Sequence, residues 1–333
     1  MIQDMTTDTP QEQTELIEPL PFPFTQRPYC PFEPIEKRIE RIRVLVVNNL
    51  LLEESHLSDT ALEELGERAE AQVARERHIS HLAIENIVSN ITRLVQEPET
   101  KVAHLSEAVE AVAEYRPDAI VLSGTLSDFD YYDPSMLRRF ADFAVRTKTP
   151  ILGICGGHQL VGLAFGVPCV TLDGEEPRAQ RQGRDFEYQY RFIRVTDPAD
   201  PIFRDINDRD AGTWQDYTTE GNILRVWQNH GLQLPRIPEG FKLIAVGYRC
   251  KNQMMVKRSD GQLIYTVQFH LEKSFQDLTS SHQRIDPNAN PNARKRMLRE
   301  EASSRTIWAH PHESRDGRVL FENFLRLALK HRQ

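Results

Sequence analysis

Residues Thr149 to Gly166 read TPILGICGGHQLVGLAFG, and the fold turns on this stretch. Its apolar run ends at Ile154 with the length and composition of a strand, and a helix-compatible segment begins directly after Cys155. Cys155 therefore stands at a sharp strand-to-helix bend, between Gly153 and the Gly156–Gly157 pair. Glycines are needed in such a bend because larger side chains would collide with the returning backbone. The bend is expected to present the thiol rather than bury it. The free N–H groups and the dipole of the helix N-terminus favour thiolate over thiol, which prepares the sulfur as a nucleophile.

Upstream, the continuous β-branched run from Ile42, IRVLVV, has the pattern of a strand covered on both faces, hence of a buried parallel sheet. Residues 59–95 turn to helical composition, with Leu62, Leu65, Ala69 and Val73 on one face, and predict one long helix or two. A strand near 101–105, a helix over SEAVEAVAEY, the strand AIVLSG and a helix over 134–145 complete the approach to Cys155. This alternation predicts an α/β protein with a doubly wound, mostly parallel central sheet. Beyond Leu172, segments such as FEYQYRFIRV, FKLIAVGYR, NQMMVKR and LIYTVQF predict antiparallel additions to that sheet.

The organisation expected is a proline-rich extended arm over 1–41 and one domain over 42–333. Within that domain lie an enlarged helical region, 51–98, and a polar surface insertion, 274–314, before a closing helix. The insertion follows directly on Glu272, which suits a lid or a partner surface as well as a passive loop.

Among the 333 residues, 39% are hydrophobic and 27% charged, which excludes disorder throughout. No apolar run reaches membrane-spanning length, and the first residues lack a basic segment followed by an apolar core. No membrane association is expected, and the cytoplasm is the default location. A net charge of −8 without a Lys/Arg cluster argues against nucleic acid as partner. Cys30, Cys155, Cys169 and Cys250 form no C-x-x-C pair, and His310-x-His312 lacks a third ligand nearby, so neither a metal nor a cofactor is expected.

A thiolate nucleophile needs a base, and the base an orienting carboxylate. His270 and Glu272, an H-x-E at the end of LIYTVQF, supply both, because alternate residues leaving a strand project to the same side. His158 and His230 are the competing histidines; packing is the favoured role for His230.

With these residues in view, Gly153-Ile154-Cys155-Gly156-Gly157-His158-Gln159 resembles the nucleophile motif of class I glutamine amidotransferases, and Gln268-Phe269-His270-Leu271-Glu272 resembles their histidine–glutamate motif. Leu122-Ser123-Gly124, Gln228-Asn229-His230-Gly231 and Glu322-Asn323-Phe324 resemble further segments of that family. The resemblance implies a flavodoxin-like fold and a Cys155–His270–Glu272 triad that releases ammonia from glutamine through a thioester. It also implies oxyanion donors at Gly156 and in the Gly124–Thr125 loop, and a substrate contact from Gln159. The family usually has glycine at Thr125 and proline at Leu271. The oxyanion geometry then depends on whether the backbone φ at 125 is one threonine can adopt.

The activity expected is glutaminase-type hydrolysis, with ammonia passed to a separate synthetase or acceptor subunit, since no G-x-x-x-x-G-K-[ST] loop is present. Hydrolysis of γ-glutamyl amides or peptides by the same triad is the alternative. A non-catalytic binding protein that keeps the fold is a third reading.

Overall fold

The computed structural model of the chain describes residues 37–181, 183–206, 223–272 and 316–332. Most of the N-terminal arm, the 274–314 segment and the His310–His312 pair lie outside the described residues.

The core is a nine-stranded sheet. Its strands are β1 (Ile39–Asn48), β2 (Val95–His104), β3 (Ala119–Leu122), β4 (Ile151–Ile154), β6 (Glu187–Val195), β7 (Ile223–His230), β9 (Lys242–Val246), β10 (Met254–Lys257) and β11 (Ile264–Val267). Two short strands, β5 (Val170–Thr171) and β8 (Leu232–Gln233), pair separately. The order is β2-β1-β3-β4-β11-β10-β9-β6-β7. From β2 to β11 neighbours are parallel; from β11 to β7 they are antiparallel. The fold is therefore a mostly parallel α/β sheet with antiparallel additions, as the strand–helix rhythm predicts.

Four details differ from the sequence reading. β2 starts at Val95 rather than near 101, because its ladder with β1 begins there, and the helical region expected to reach 98 ends at Leu94. LIYTVQF is not simply an antiparallel addition, because β11 inserts parallel beside β4, with Thr266 opposite Gly153 and Val267 opposite Ile154, and offers only its other edge to β10. β1 starts at Ile39, three residues before the apolar run, because its ladder with β2 begins at the Ile39–Val95 pair. β7, which carries polar residues at its C-terminal end, is an additional strand.

The helical region divides into α1 (Asp59–Leu65) and α2 (Ala69–Leu94), separated by a short 3-10 turn at Gly66, whose φ is +52°. Ser58 caps α1, its hydroxyl accepting from the Ala61 N–H. α3 (Ala108–Tyr115), α4 (Pro134–Ala144) and α5 (Gly156–Ala164) follow, and α6 (Asp316–Arg332) closes the described chain. Asp133 caps α4 through the Ser135 and Met136 N–H groups, with Pro134 at the first helical position.

Two apolar clusters line the sheet. Ile87, Ile91 and Leu94 of α2 join Leu320, Phe321, Phe324 and Leu325 of α6 in one. Ala69 and Val73, at the other end of α2, join α3, α4 and α5 in the second. α2 thus belongs to both layers. Among the described residues, no helix is long and apolar enough to cross a membrane.

Candidate active site

The site gathers at the C-terminal ends of β3, β4 and β11, where open parallel α/β sheets place their ligands. β4 ends at Ile154 and α5 begins at Gly156, leaving Cys155 as the single bend residue, with φ +51° and ψ −104°. A non-glycine residue in that conformation is strained, and the strain is held by the surroundings. The Cys155 N–H donates to Val267 O at 2.8 Å, and Cys155 O accepts from the Gln159 N–H at 3.1 Å.

Close approach explains the flanking glycines. A methyl group at Gly157 would lie 2.7 Å from Leu122 Cβ and from Leu122 O. One at Gly156 would lie 2.5 Å from Thr125 N and 2.6 Å from Thr125 Cγ2. The first turn of α5 is thereby pressed against the loop after β3, and the Thr125 backbone nitrogen lies close over Gly156. Among the described residues, Thr125 is not one of the four non-glycine residues with positive φ, so its backbone stays out of the region that would require glycine.

Contrary to the expectation of a presented thiol, Cys155 is only 4% exposed. Its sulfur is covered by the Asn229 carbonyl at 3.9 Å and by Gln268 Nε2 at 3.9 Å. Asn229 itself is exposed, so the sulfur lies one residue below the surface. The polar end of β7, which provides that carbonyl, carried no periodic signal in the sequence.

His270 stands just beyond β11, where its N–H donates to Trp227 O at 2.8 Å in an isolated bridge to β7. Its Nδ1 lies 2.7 Å from Glu272 Oε1. The ring's other side faces the nucleophile bend: a methyl at Gly124 would touch His270 Cε1 at 3.3 Å and Cys155 Cβ at 3.7 Å. Burial works against a charge on His270. Glu272 and Cys155 outweigh it by charge and hydrogen bonding, and the imidazole is pushed up to about 10.

Because the folded value is raised, protonated His270 contributes stability that is complete below about 6.5 and is lost as pH rises towards about 10. Replacing Glu272 with Gln removes the strongest raising influence. The alkaline limb of the kcat/KM profile should then move to lower pH, with kcat reduced about 10²- to 10⁴-fold. An unchanged alkaline limb in a pH titration of the E272Q variant would separate Glu272 from the imidazole.

The remaining candidates take other places. Gln159 is buried, and its Nε2 donates to Leu232 O at 2.9 Å and to Gln268 Oε1 at 3.2 Å, so it supports the residue that touches the sulfur. His158 is fully buried with Nδ1 at 2.7 Å from Thr266 Oγ1, and burial, reinforced by His230, lowers it to about 3. His230 is also buried, its ring nitrogens facing Leu232 O, Gln228 Oε1 and Glu187.

Leu271 packs in the core, and the start of α6 lies against it: a methyl at Gly317 would meet Leu271 O at 2.7 Å.

Two residues of α2 were not legible as site residues. Asn90 Nδ2 donates to Glu272 O at 2.8 Å, and the fully buried Glu76 carboxylate accepts from Ser127 Oγ and, at 2.9 Å, from the Leu51 N–H. One end of the helix holds the residue beyond His270; the other holds the loop that carries Thr125.

The sequence profile of the family Glutamine amidotransferase class-I matches residues 82–282. The chain belongs to that family. It is 30% identical over 166 residues to one subunit of the glutamine-hydrolyzing GMP synthase of Methanocaldococcus jannaschii, covering 50% of this chain and 69% of that protein. It is 33% identical over 165 residues to the glutamine-hydrolyzing GMP synthase of Cupriavidus pinatubonensis, a match that covers 49% of this chain and 26% of that longer protein. A crystal structure of a glutamine amidotransferase from Thermotoga maritima aligns over 87% of this chain and 98% of its own, with a TM-score of 0.46 and 16% identity.

Proposed function

We propose that the chain hydrolyses the side-chain amide of glutamine through a Cys155 thioester, with His270 and Glu272 completing the triad, and delivers the ammonia to a separate synthetase. The observation that carries this reading is His270 itself, held between the Cys155 bend and Glu272, with Nδ1 at 2.7 Å from Glu272 Oε1 and its proton retained to about 10.

A protonated imidazole beside the sulfur is the counter-ion of a thiolate. The thiolate attacks the amide carbon, and the carbonyl electron pair moves onto oxygen. The Gly156 N–H, one of the donors that an α-helix leaves unpaired at its start, and the adjacent Thr125 N–H receive that charge. His270 then gives its proton to the leaving nitrogen, which departs as ammonia, and the thioester remains. Neutral His270 next takes a proton from water, hydroxide adds to the thioester carbon, and glutamate leaves as the thiolate reforms. Gln159 acts at one remove by holding Gln268 against the sulfur.

A separate partner is supported by the Methanocaldococcus relative, which is named as one subunit of a GMP synthase and matches about half of this chain. An ammonia-consuming ligase on a purine nucleotide is the acceptor class this supports. The purified chain should release ammonia from free glutamine, and its rate should rise when such a ligase with its nucleotide substrate is added. Release of amines from γ-glutamyl amides with no turnover of glutamine would instead assign a γ-glutamyl hydrolase. Turnover of neither, with or without a ligase, would assign a binding protein.

A further inference from the structure

A second set of ligand-type side chains meets behind Asn229. Glu187 begins β6, His230 ends β7, and the two are register partners; Cys250 lies in the turn between β9 and β10. The carboxylate, imidazole and thiol donor atoms all lie within 4.8 Å of one another, and all three residues are buried.

The surrounding hydrogen bonds fix which atoms face inward. Gln253 Nε2 donates to Cys250 O at 3.4 Å and to Glu187 Oε2 at 3.3 Å, which leaves Gln253 Oε1 to accept from Gln228 Nε2 at 2.8 Å. Gln228 Oε1 is thereby turned onto His230 Nε2, at 3.0 Å. His230 Nδ1 lies 2.9 Å from Leu232 O, a carbonyl that can only accept, so Nδ1 carries a hydrogen.

Nε2 then faces two acceptors, Gln228 Oε1 and, at 3.3 Å, Glu187 Oε2. A neutral ring would direct its lone pair at both oxygens in a dry interior, where such a clash is costly. An electropositive species belongs between them. The Cys250 sulfur, whose own hydrogen bond is a 3.7 Å contact to Asn252 O, lies in the same group of donors.

A metal ion uses every donor. Tetrahedral zinc with bonds of about 2.0–2.3 Å sets its ligand atoms roughly 3.3–3.6 Å apart. His230 Nε2 lies 3.0 Å from Gln228 Oε1 and 3.3 Å from Glu187 Oε2, and the carboxylate, imidazole and thiol donors, within 4.8 Å of one another, would draw in on binding. The Nδ1–H bond to a backbone carbonyl is the outer support that a metal-ligating histidine usually has. We propose that Glu187 Oε2, His230 Nε2, Cys250 Sγ and Gln228 Oε1 form a closed structural zinc site. On binding, the thiol proton and any second imidazole proton pass to solvent, and one carboxylate and one thiolate neutralise the divalent ion. The ion would tie β6, β7 and the 247–253 turn together behind the Asn229 carbonyl, independently of the chemistry at Cys155.

Because the donors are enclosed, loading is expected during folding, and the test is made on full-length protein expressed in zinc- or cobalt-supplemented medium. The wild type should carry about one equivalent of either metal. The cobalt form should show thiolate-to-cobalt charge transfer and tetrahedral ligand-field absorption. Both bands should persist in the C30S, C155S and C169S variants and vanish in C250S, and E187Q should retain at least tenfold less metal. Less than a tenth of an equivalent in the wild type, or charge transfer that survives in C250S, overturns the site. The wild-type metal content decides the matter even if a variant does not fold.

Discussion

Replacing Cys155 with Ala should lower glutamine hydrolysis by about four orders of magnitude or more, because the thioester route then has no nucleophile. A diazo-ketone analogue of glutamine should label wild-type Cys155 alone, and excess glutamine should protect it. The selectivity has a physical basis in the neighbours of each sulfur. Burial, with nearby Asp128 and Cys155, pushes the Cys169 thiol far up; burial, then Glu187, does the same to Cys250. Without a bound metal both stay protonated and unreactive, and a metal-bound Cys250 would be enclosed and coordinated. Cys155 is buried too, but its neighbour His270, pushed up by Glu272 and Cys155 against the effect of burial, is placed to exchange the proton that nucleophilic attack requires. Mass spectrometry of the labelled protein checks this. Label spread over several cysteines, or insensitive to glutamine, would remove Cys155 from its role.

The parts of the site that local sequence could reveal are those made by one continuous bend. Gly153 to Gly157 announced a strand-to-helix turn because contact with the preceding loop forbids side chains there, and such a prohibition leaves its mark in the sequence. His270 and Glu272 were legible for a similar reason, as alternate residues leaving a strand. What stayed hidden depends on long-range pairing. Asn90 is 182 positions from the carbonyl it holds, and nothing in the surface-like helical composition of 69–94 separates it from a solvated asparagine. Glu76 likewise reads as one more acidic residue on a charged helix, although it is fully buried against Ser127. The orientation of β11 was equally illegible: a four-residue buried strand has the same apolar pattern whether its neighbour runs parallel or antiparallel, and only pairing with β4 decides. Glu187, His230 and Cys250 come from three separate segments with no ligand spacing between them, so a motif-based reading does not bring them together.

The second large effect is expected from the smallest change, Gly156→Ala. The added methyl group would stand 2.5 Å from Thr125 N and 2.6 Å from Thr125 Cγ2, and nearer still to Thr125 Oγ1, which is closer than real contacts allow. α5 cannot yield, since its start is fixed by the β4 bend and by Gly157 against Leu122. The 124–127 loop must yield instead, and its amide moves away from the place proposed for the oxyanion. Loss of one such donor costs about 10²- to 10³-fold in kcat. The KM for glutamine should change far less, because the donor acts on the charged intermediate rather than on the bound amide. Adding Thr125→Gly to G156A removes the Oγ1 and Cγ2 clashes but leaves the nitrogen contact, so rescue should be partial. Thr125→Gly alone should keep near-normal turnover, since the donor belongs to the backbone. Steady-state kinetics of the three variants, with thermal unfolding to confirm that each is folded, check the set. A G156A protein with unchanged kcat would place the oxyanion away from the Gly156 and Thr125 amides.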